Sequence, residues 1–272
     1  MLDLTSSEKA YENVDGFAKR AGRKKGTAPP RGLDFYLKWS IGNWAEEIVY
    51  KFCREILSKE LNVQAYRYGY SAGRIPESLK EFEEIQEERR RLESFGKRPN
   101  FLLFDADFAR AKDQELSQLM RRPDEEVKDL VREAVLGLEV EQSMWFAKRA
   151  KKPLSFTVKE EDVEPLRSWQ KRFEVPIVIF QVFLDQVHAC PLDEVVSGKR
   201  PRRDPTTKKP TYFHSISKST HLADIEGLDL RAKVEVDDKG KLVPFIMLVG
   251  GDLVDVNLEG IMRLRAYFKR KT

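Results

Sequence analysis

The chain has 272 residues, 41% of them hydrophobic and 35% charged, with a mean hydropathy of −0.54. That is ample material for one large core, and no window approaches the roughly 20 uninterrupted apolar residues of a membrane span, so no membrane role is expected. Two cysteines, Cys53 and Cys190, exclude a disulfide framework or a four-cysteine zinc site, and His188, His214 and His221 show no metal-ligand spacing. The opening MLDLTSSEKAYENVDGF has no apolar h-region, so a cytoplasmic protein is expected.

Net charge is only +4, from 49 basic and 45 acidic residues, but the distribution is uneven. Residues 19–31 (KRAGRKKGTAPPR) carry six bases and no acid, and 198–209 (GKRPRRDPTTKK) carry Lys199, Arg200, Arg202, Arg203, Lys208 and Lys209 against Asp204 alone. Smaller basic clusters stand at 148–152 and 269–271. Such clusters in a nearly balanced chain point to a polyanion-facing surface; the bland alternative is a set of solvated loops.

In chain order, a helix is expected over 5–20, with Ser6 or Ser7 as its cap, then the basic Gly/Pro loop 19–32. The clearest helix is 34–60, where Ile41, Trp44, Ala45, Ile48, Val49, Phe52 and Ile56 recur at helical spacing. Residues 61–76 read as loop or short strand. A very charged helix follows at 77–94, with Gly96 at its C-terminal end. FLLF (101–104) is a short strand, and 113–133 a helix interrupted near Pro123. Residues 134–146 and 153–159 read as successive strands, 160–173 as a helix, and 175–190 as one long strand. A strand near 211–217, a hairpin of 229–236 and 241–249 turning at DDKG, and a helix over 258–271 complete the chain. The expected fold is α/β, a mixed central sheet flanked by helices. It is expected as a single domain over 1–272: a mainly helical part (1–95), a core (96–190), and C-terminal strands with a basic loop and terminal helix (191–272).

The chemistry is concentrated in GLEVEQS. On a strand, Leu136, Leu138 and Val140 share one face, and Glu139, Glu141 and Ser143 the other. Two neighbouring carboxylates in a hydrophobic strand repel each other and are costly to bury; a divalent cation such as Mg²⁺ relieves both penalties. The next strand repeats the alternation, with Lys159 on its polar face. If the two strands pair, Lys159 lies beside Glu139 and Glu141. Carboxylates, a metal and a lysine suit phosphodiester hydrolysis. The plain alternative is a solvated strand face on which Lys159 makes a surface ion pair. Cys53 is expected in the core, and Tyr66, Arg67, Tyr68 and Tyr70 are either a second contact surface or aromatics packed on the core.

The segment FGKRPNFLLFD, followed some tens of residues later by the acidic pair of GLEVEQS, resembles the PD-(D/E)XK nuclease superfamily, whose familiar members are type II restriction endonucleases. LSFTVKEEDVEPLRSW…VPIVIFQVFLD is similar to the AccI-type group in particular. The resemblance spans roughly residues 39–190. It implies a restriction-endonuclease-like core and a prokaryotic, Mg²⁺-dependent enzyme. Such an enzyme cleaves double-stranded DNA at a specific, palindromic sequence and works as a homodimer. Pro99-Asn100 occupies the place of the family's Pro-Asp, Glu139 that of the metal-binding acid, and Glu141 that of the usual lysine. An acidic residue of an early helix completes such sites, and Glu46 lies nearer the apolar face than Glu47.

The implied catalytic residues are thus Asn100, Glu139, Glu141, Lys159 and Glu46, with Asn100 and Glu139 on the metal. Lys148 is a lesser candidate for the lysine. Asn100 lacks the charge of aspartate. Either Asp105 or Asp107 compensates, or the chain is a variant inactivated by replacement of an aspartate. The implied DNA contacts are Lys199, Arg200, Arg202, Arg203 and Lys208, arginine reading guanine and lysine neutralising phosphate. The rival readings are a nucleic-acid-binding protein without catalysis and a repair or recombination nuclease.

Overall fold

Apolar residues three and four apart bury one side of α1 (Leu33–Phe52): Ile41, Trp44, Ala45, Ile48, Val49 and Phe52 all lie in the core. In the computed structural model, which describes residues 33–69, 79–205, 207–236 and 242–269, this helix continues through a π-helical segment, Cys53–Leu57, into a last turn, Ser58–Glu60. Cys53 is buried, as expected. The expected helix at 5–20, the basic stretch 19–31, Tyr70, the DDKG turn and the bases at 270 and 271 lie outside the described residues.

Six more helices follow among the described residues: α2 (Leu79–Leu92), α3 (Ala106–Leu116), α4 (Asp124–Arg132), α5 (Glu160–Phe173), α6 (Leu192–Val196) and α7 (Leu258–Arg265). Pro123 breaks the helical stretch as expected, standing as the N-cap of α4. α3 starts earlier than the periodicity suggested, because the Asp105 carboxylate accepts the backbone N–H groups of Asp107 and Phe108 at 3.0 and 3.4 Å and so caps the helix. α7 stops at Arg265, and the chain then docks on the sheet, the Lys269 N–H donating to the Val135 carbonyl at 2.8 Å.

The strands are β1 (Val63–Arg67), β2 (Phe101–Asp105), β3 (Leu136–Gln142), β4 (Ser155–Lys159), β5 (Ile177–Val182), β6 (Gln186–Pro191), β7 (Arg202–Arg203), β8 (Pro210–Ser215), β9 (His221–Val236) and β10 (Leu242–Val254). Seven form a mixed sheet in the order β1-β2-β3-β5-β6-β9-β10, antiparallel throughout except for the parallel pair β3–β5. The other three form a small antiparallel sheet in the order β4-β8-β7.

Two expectations are corrected here. Residues 175–190 are not one strand but two, reversing at Phe183–Asp185, where the Phe183 N–H donates to the Gln186 carbonyl at 2.8 Å. The turn is obscured in the composition because Phe183 and Leu184 are themselves buried, leaving Asp185 as its one turn-forming residue. Strands β3 and β4 do not pair. β3 pairs with β2 over Leu136–Leu138 and with β5 over Gly137–Gln142, while β4 finds its partner in β8.

The central strands β2, β3 and β5 pack on both faces. One face, with Phe101, Leu103, Leu136, Leu138, Val178 and Phe180, meets α1; the other, with Leu102, Phe104, Ile177 and Ile179, meets α3–α6 and the small sheet. α1 also reaches the far strand. Its Trp44 indole N–H donates to the Gly250 carbonyl at 2.9 Å. The neighbouring Gly251 sits at φ +106°, and a β-carbon there would stand 2.7 Å from the Ile48 side chain, so only glycine admits the helix this closely.

Candidate active site at the fork of the central sheet

Strands β2 and β3 pair only over Phe101–Leu103 and Leu136–Leu138. Beyond that point β3 runs on beside β5 alone, carrying Glu139, Val140, Glu141 and Gln142. Asn100, the residue before β2, closes the fork. Its Oδ1 accepts the Val140 N–H at 2.8 Å, taking over where the backbone ladder ends, and its Nδ2 donates to Glu46 Oε1 at 3.0 Å. Four of the expected site residues thereby come together: Asn100 bonds Glu46 and the β3 backbone, and β3 carries Glu139 and Glu141.

Lysine enters from an unexpected place. Lys97, three residues before Asn100, puts its Nζ 2.6 Å from Glu139 Oε1 and 3.3 Å from Asp162 Oδ1 at the start of α5. Burial works against the Lys97 charge, but Glu139, Glu141 and Asp162 outweigh it and hold the ammonium well above its ordinary pKa. Its loop is tightly fixed. Gly96, at φ +124°, passes so close to α5 that a β-carbon would clash with the Pro165 carbonyl. The Arg98 side chain is fully buried, its Nε 2.7 Å from Asp124 Oδ1 and its Nη2 donating to the carbonyls of Leu92 and Arg122 at 2.8 and 2.6 Å. Tyr68 donates to the same Asp124 oxygen and accepts from the Trp169 indole at 3.1 Å.

The carboxyls are strongly perturbed. Burial raises Glu46 to about 7, against the opposing charge of Arg67 and with a further upward push from Glu139. Burial likewise raises Glu141 to about 7, opposed by Lys97 and Lys159 and reinforced by Glu139. Glu139 Oε2 is buried with no hydrogen-bond partner, and so is Nε2 of Gln181, which stands beside Glu141 on β5. The Gln181 Oε1 accepts the Thr157 N–H at 3.0 Å and so fastens the small sheet to the large one.

Lys159 reaches this neighbourhood from the small sheet, not from a strand paired with β3. Its charge still acts on Glu141. Arg67 packs over the rings of Tyr50 and Phe101 at 4.9 and 5.3 Å and bridges to Glu46 and Glu47 at 3.6 and 2.6 Å. Tyr66 donates to Asp113 at 2.7 Å. Residues 66–68 thus pack and position the core. Lys148 lies elsewhere, paired with Asp224 at 2.8 Å. Asp105 is engaged as the α3 cap and Asp107 pairs with Arg110 on the surface, so neither supplies the charge missing at Asn100.

The basic loop is divided. Arg200, Arg202, Arg203 and Lys208 are exposed, with Arg202 stacked over the Phe213 ring at 5.2 Å. Lys199 instead caps α6, its Nζ donating to the carbonyls of Glu194 and Val195 at 3.1 and 3.0 Å and meeting His214 Nδ1. His188 is buried, between Thr220 and Gln186, and His221 bonds Asp224 at 2.9 Å.

Sequence reasoning passed over Lys97, Asp162 and Gln181. Lys97 sits in a loop, where no periodicity assigns a side chain to a face. Gln181 did leave a signal, the lone polar residue inside VPIVIFQVF.

A divalent cation suits this donor set. No three His, Cys, Asp or Glu side chains form a cage among the described residues, but Mg²⁺ is held by one or two carboxylates plus water. The orphaned Glu139 Oε2, with Glu141 two residues on, provides that much.

A mixed sheet forked over a carboxylate pair and a lysine is a restriction-endonuclease-like core. A family model described as AccI restriction endonuclease matches residues 19–155, half of the chain. The protein belongs to that family, and so is a DNA-cleaving hydrolase of the type II restriction class. The match takes in Glu46, Lys97, Asn100, Glu139 and Glu141, and ends before Lys159 and the basic loop. No curated protein and no solved structure matches. No helix among the described residues is long and apolar enough to cross a membrane.

Proposed function

We propose that the protein hydrolyses double-stranded DNA at a specific, palindromic sequence with Mg²⁺ at the fork of the central sheet. The observation that carries this reading is the division of the Glu139 carboxylate: one oxygen is held by Lys97 at 2.6 Å, the other is buried and open. In this reading Glu139 Oε2, Glu141 and Asn100 Oδ1 hold the cation. When bound, it polarises the scissile phosphate and lowers the pKa of an attacking water.

The chain's own groups do the rest. Lys97, kept charged by three carboxylates, stabilises the negative charge that grows on the phosphate oxygens. Glu141, whose charge is disfavoured by burial while no cation is bound, gains most from the cation's arrival and is held beside it by Lys97 and Lys159. Asn100 fixes Glu46 and the β3 backbone in one geometry. Lys159 adds its positive charge beside Glu141, and the exposed arginines of the small sheet hold the duplex. A palindromic target calls for a two-fold symmetric reader, so the working form is a homodimer. α7, which exposes Leu258 and Met262 one turn apart, is a candidate contact.

The test is cleavage of plasmid DNA. With Mg²⁺ the protein gives discrete fragments, and Glu139→Ala and Lys97→Ala bind DNA without cutting it. Random degradation overturns the sequence-specific reading. Full cleavage by Glu139→Ala removes that residue from the site. Tight DNA binding with no cleavage in any divalent cation identifies a catalytically silent DNA-binding protein instead.

A further inference from the structure

Gln181 is the lone polar residue of β5 and is fully buried. It stands directly across the parallel β3–β5 pair from Glu141, as Ile179 does from Glu139. Paired residues leave a sheet on the same face, and neighbouring strands lie about 4.8 Å apart. The amide and the carboxyl therefore project side by side, on the face that meets the small sheet.

Thr157 tells the two ends of this amide apart. Its N–H donates to Gln181 Oε1 at 3.0 Å, and its hydroxyl to the same oxygen at 3.3 Å. A backbone N–H only donates, so the end it faces is the oxygen and the opposite end is the NH2 group. That Nε2 is buried with no hydrogen-bond partner. A buried amide is costly to keep unless its hydrogen bonds are made, and an aliphatic residue like its neighbours would fill β5 without that cost. Fastening the small sheet uses the oxygen alone and leaves the donor unexplained.

The other acids of the fork already have a donor. Lys97 Nζ is 2.6 Å from Glu139 Oε1, and Asn100 Nδ2 donates to Glu46 Oε1 at 3.0 Å. Among the described residues no hydrogen bond runs to Glu141, on which Lys97 and Lys159 act as charges. Carboxylates that ligate a metal are themselves hydrogen-bonded by the residues outside them, which fixes their orientation.

We propose that Gln181 is a positioning residue of the cation site. Its Nε2–H donates to the Glu141 carboxylate when that group serves the cation, while its Oε1 keeps hold of Thr157. This rests on the Mg²⁺ reading of the fork and adds to it a single side chain that ties a cation carboxylate to the sheet carrying Lys159 and Arg202.

The test is Mg²⁺ binding to the full chain without DNA, read by calorimetry and by the rise in melting temperature on adding Mg²⁺. Gln181→Met, similar in length but without the amide, weakens Mg²⁺ binding about tenfold or more and shrinks that rise. A merely structural amide lowers the melting temperature equally with and without Mg²⁺ and leaves the affinity within twofold of the parent; that result overturns the proposal. A second measurement needs no variant at residue 181. In the ¹⁵N-labelled parent, Mg²⁺ shifts the side-chain NH2 signal of Gln181, and an unmoved signal at saturating Mg²⁺ overturns the proposal. In Glu141→Ala the signal stays in place, and movement there overturns the assignment of Glu141 as the acceptor. If the parent itself binds no Mg²⁺, the cation reading fails too; if it binds and Gln181→Met matches it, only this inference fails.

Discussion

Lys159 and Arg202 stand on one row of the small sheet, each directly across from Thr211. Strands lie about 4.8 Å apart, so the backbones of the two residues are about 10 Å from each other, with Thr211 buried between them. One end of the row acts on Glu141 and the other is open to solvent. The strand carrying Lys159 is fastened to the large sheet through Thr157 and Gln181, so the small sheet links the acidic fork to the basic loop.

Separable losses follow. Lys159→Ala is expected to slow single-turnover cleavage about a hundredfold with little change in DNA affinity. Arg202→Ala is expected to weaken binding and to lower the salt slope by about one, leaving single-turnover cleavage at saturating protein nearly intact. Equal losses in both measurements from both variants would refute the division of labour.

Asn100→Asp keeps the acceptor for the Val140 N–H and exchanges the donor facing Glu46 for a second carboxylate. With Mg²⁺ present, cleavage is expected to rise by orders of magnitude, and the calorimetric Mg²⁺ affinity to rise with it. In chelator, the same variant is expected to melt lower than the parent above pH 7, because two unprotonated carboxylates then face each other. An unchanged Mg²⁺ affinity would show that residue 100 does not contribute to the cation site.

The raised carboxyls set a pH dependence in the cation-free protein. Glu46 and Glu141 have folded pKa values of about 7 against an ordinary 4.5. A raised acid keeps its proton in the folded state after the unfolded chain has released it. The stability it contributes is therefore full below pH 4.5 and is lost as pH rises to about 7. Melting temperatures in chelator are expected to show this decline. Glu46→Gln combined with Glu141→Gln should flatten it, as should Mg²⁺. A double variant with the parent's pH profile would show that these groups do not titrate in that window.

Arg98 and Asp124 are both fully buried and satisfy each other. Arg98→Ala is expected to destabilise the fold by about 3–5 kcal/mol, because an uncompensated carboxylate is left inside. Tyr68→Phe removes the bond to Asp124 and the one accepted from Trp169 and is expected to cost about 2–3 kcal/mol. Urea titrations measure both, and a smaller loss for Arg98→Ala than for Tyr68→Phe would contradict the pairing.

The elements whose one face is buried were legible before any coordinates. Ile41 through Phe52 announced α1, and the alternation around Glu139 and Glu141 gave β3 with its acids on one side. What failed depended on long-range pairing. β3 pairs with β2 and β5, and nothing within LSFTVK records that its partner is β8, more than 50 residues away. The Phe183–Asp185 reversal is hidden for a related reason, Phe183 and Leu184 being apolar because neighbouring layers cover them. Within the site, Glu46 was readable from its helix face. Lys97 was not, since its placement depends on Arg98 burying itself against Asp124.

A motif written along the chain would look for an ammonium two places after Glu139 and, finding Glu141, would pass this protein over. The structure brings one to the same acid from a different stretch of backbone, at Lys97. What the fold keeps is where the positive charge stands in space, so relatives whose linear signature has drifted are better sought by the company a carboxylate keeps than by the spelling around it.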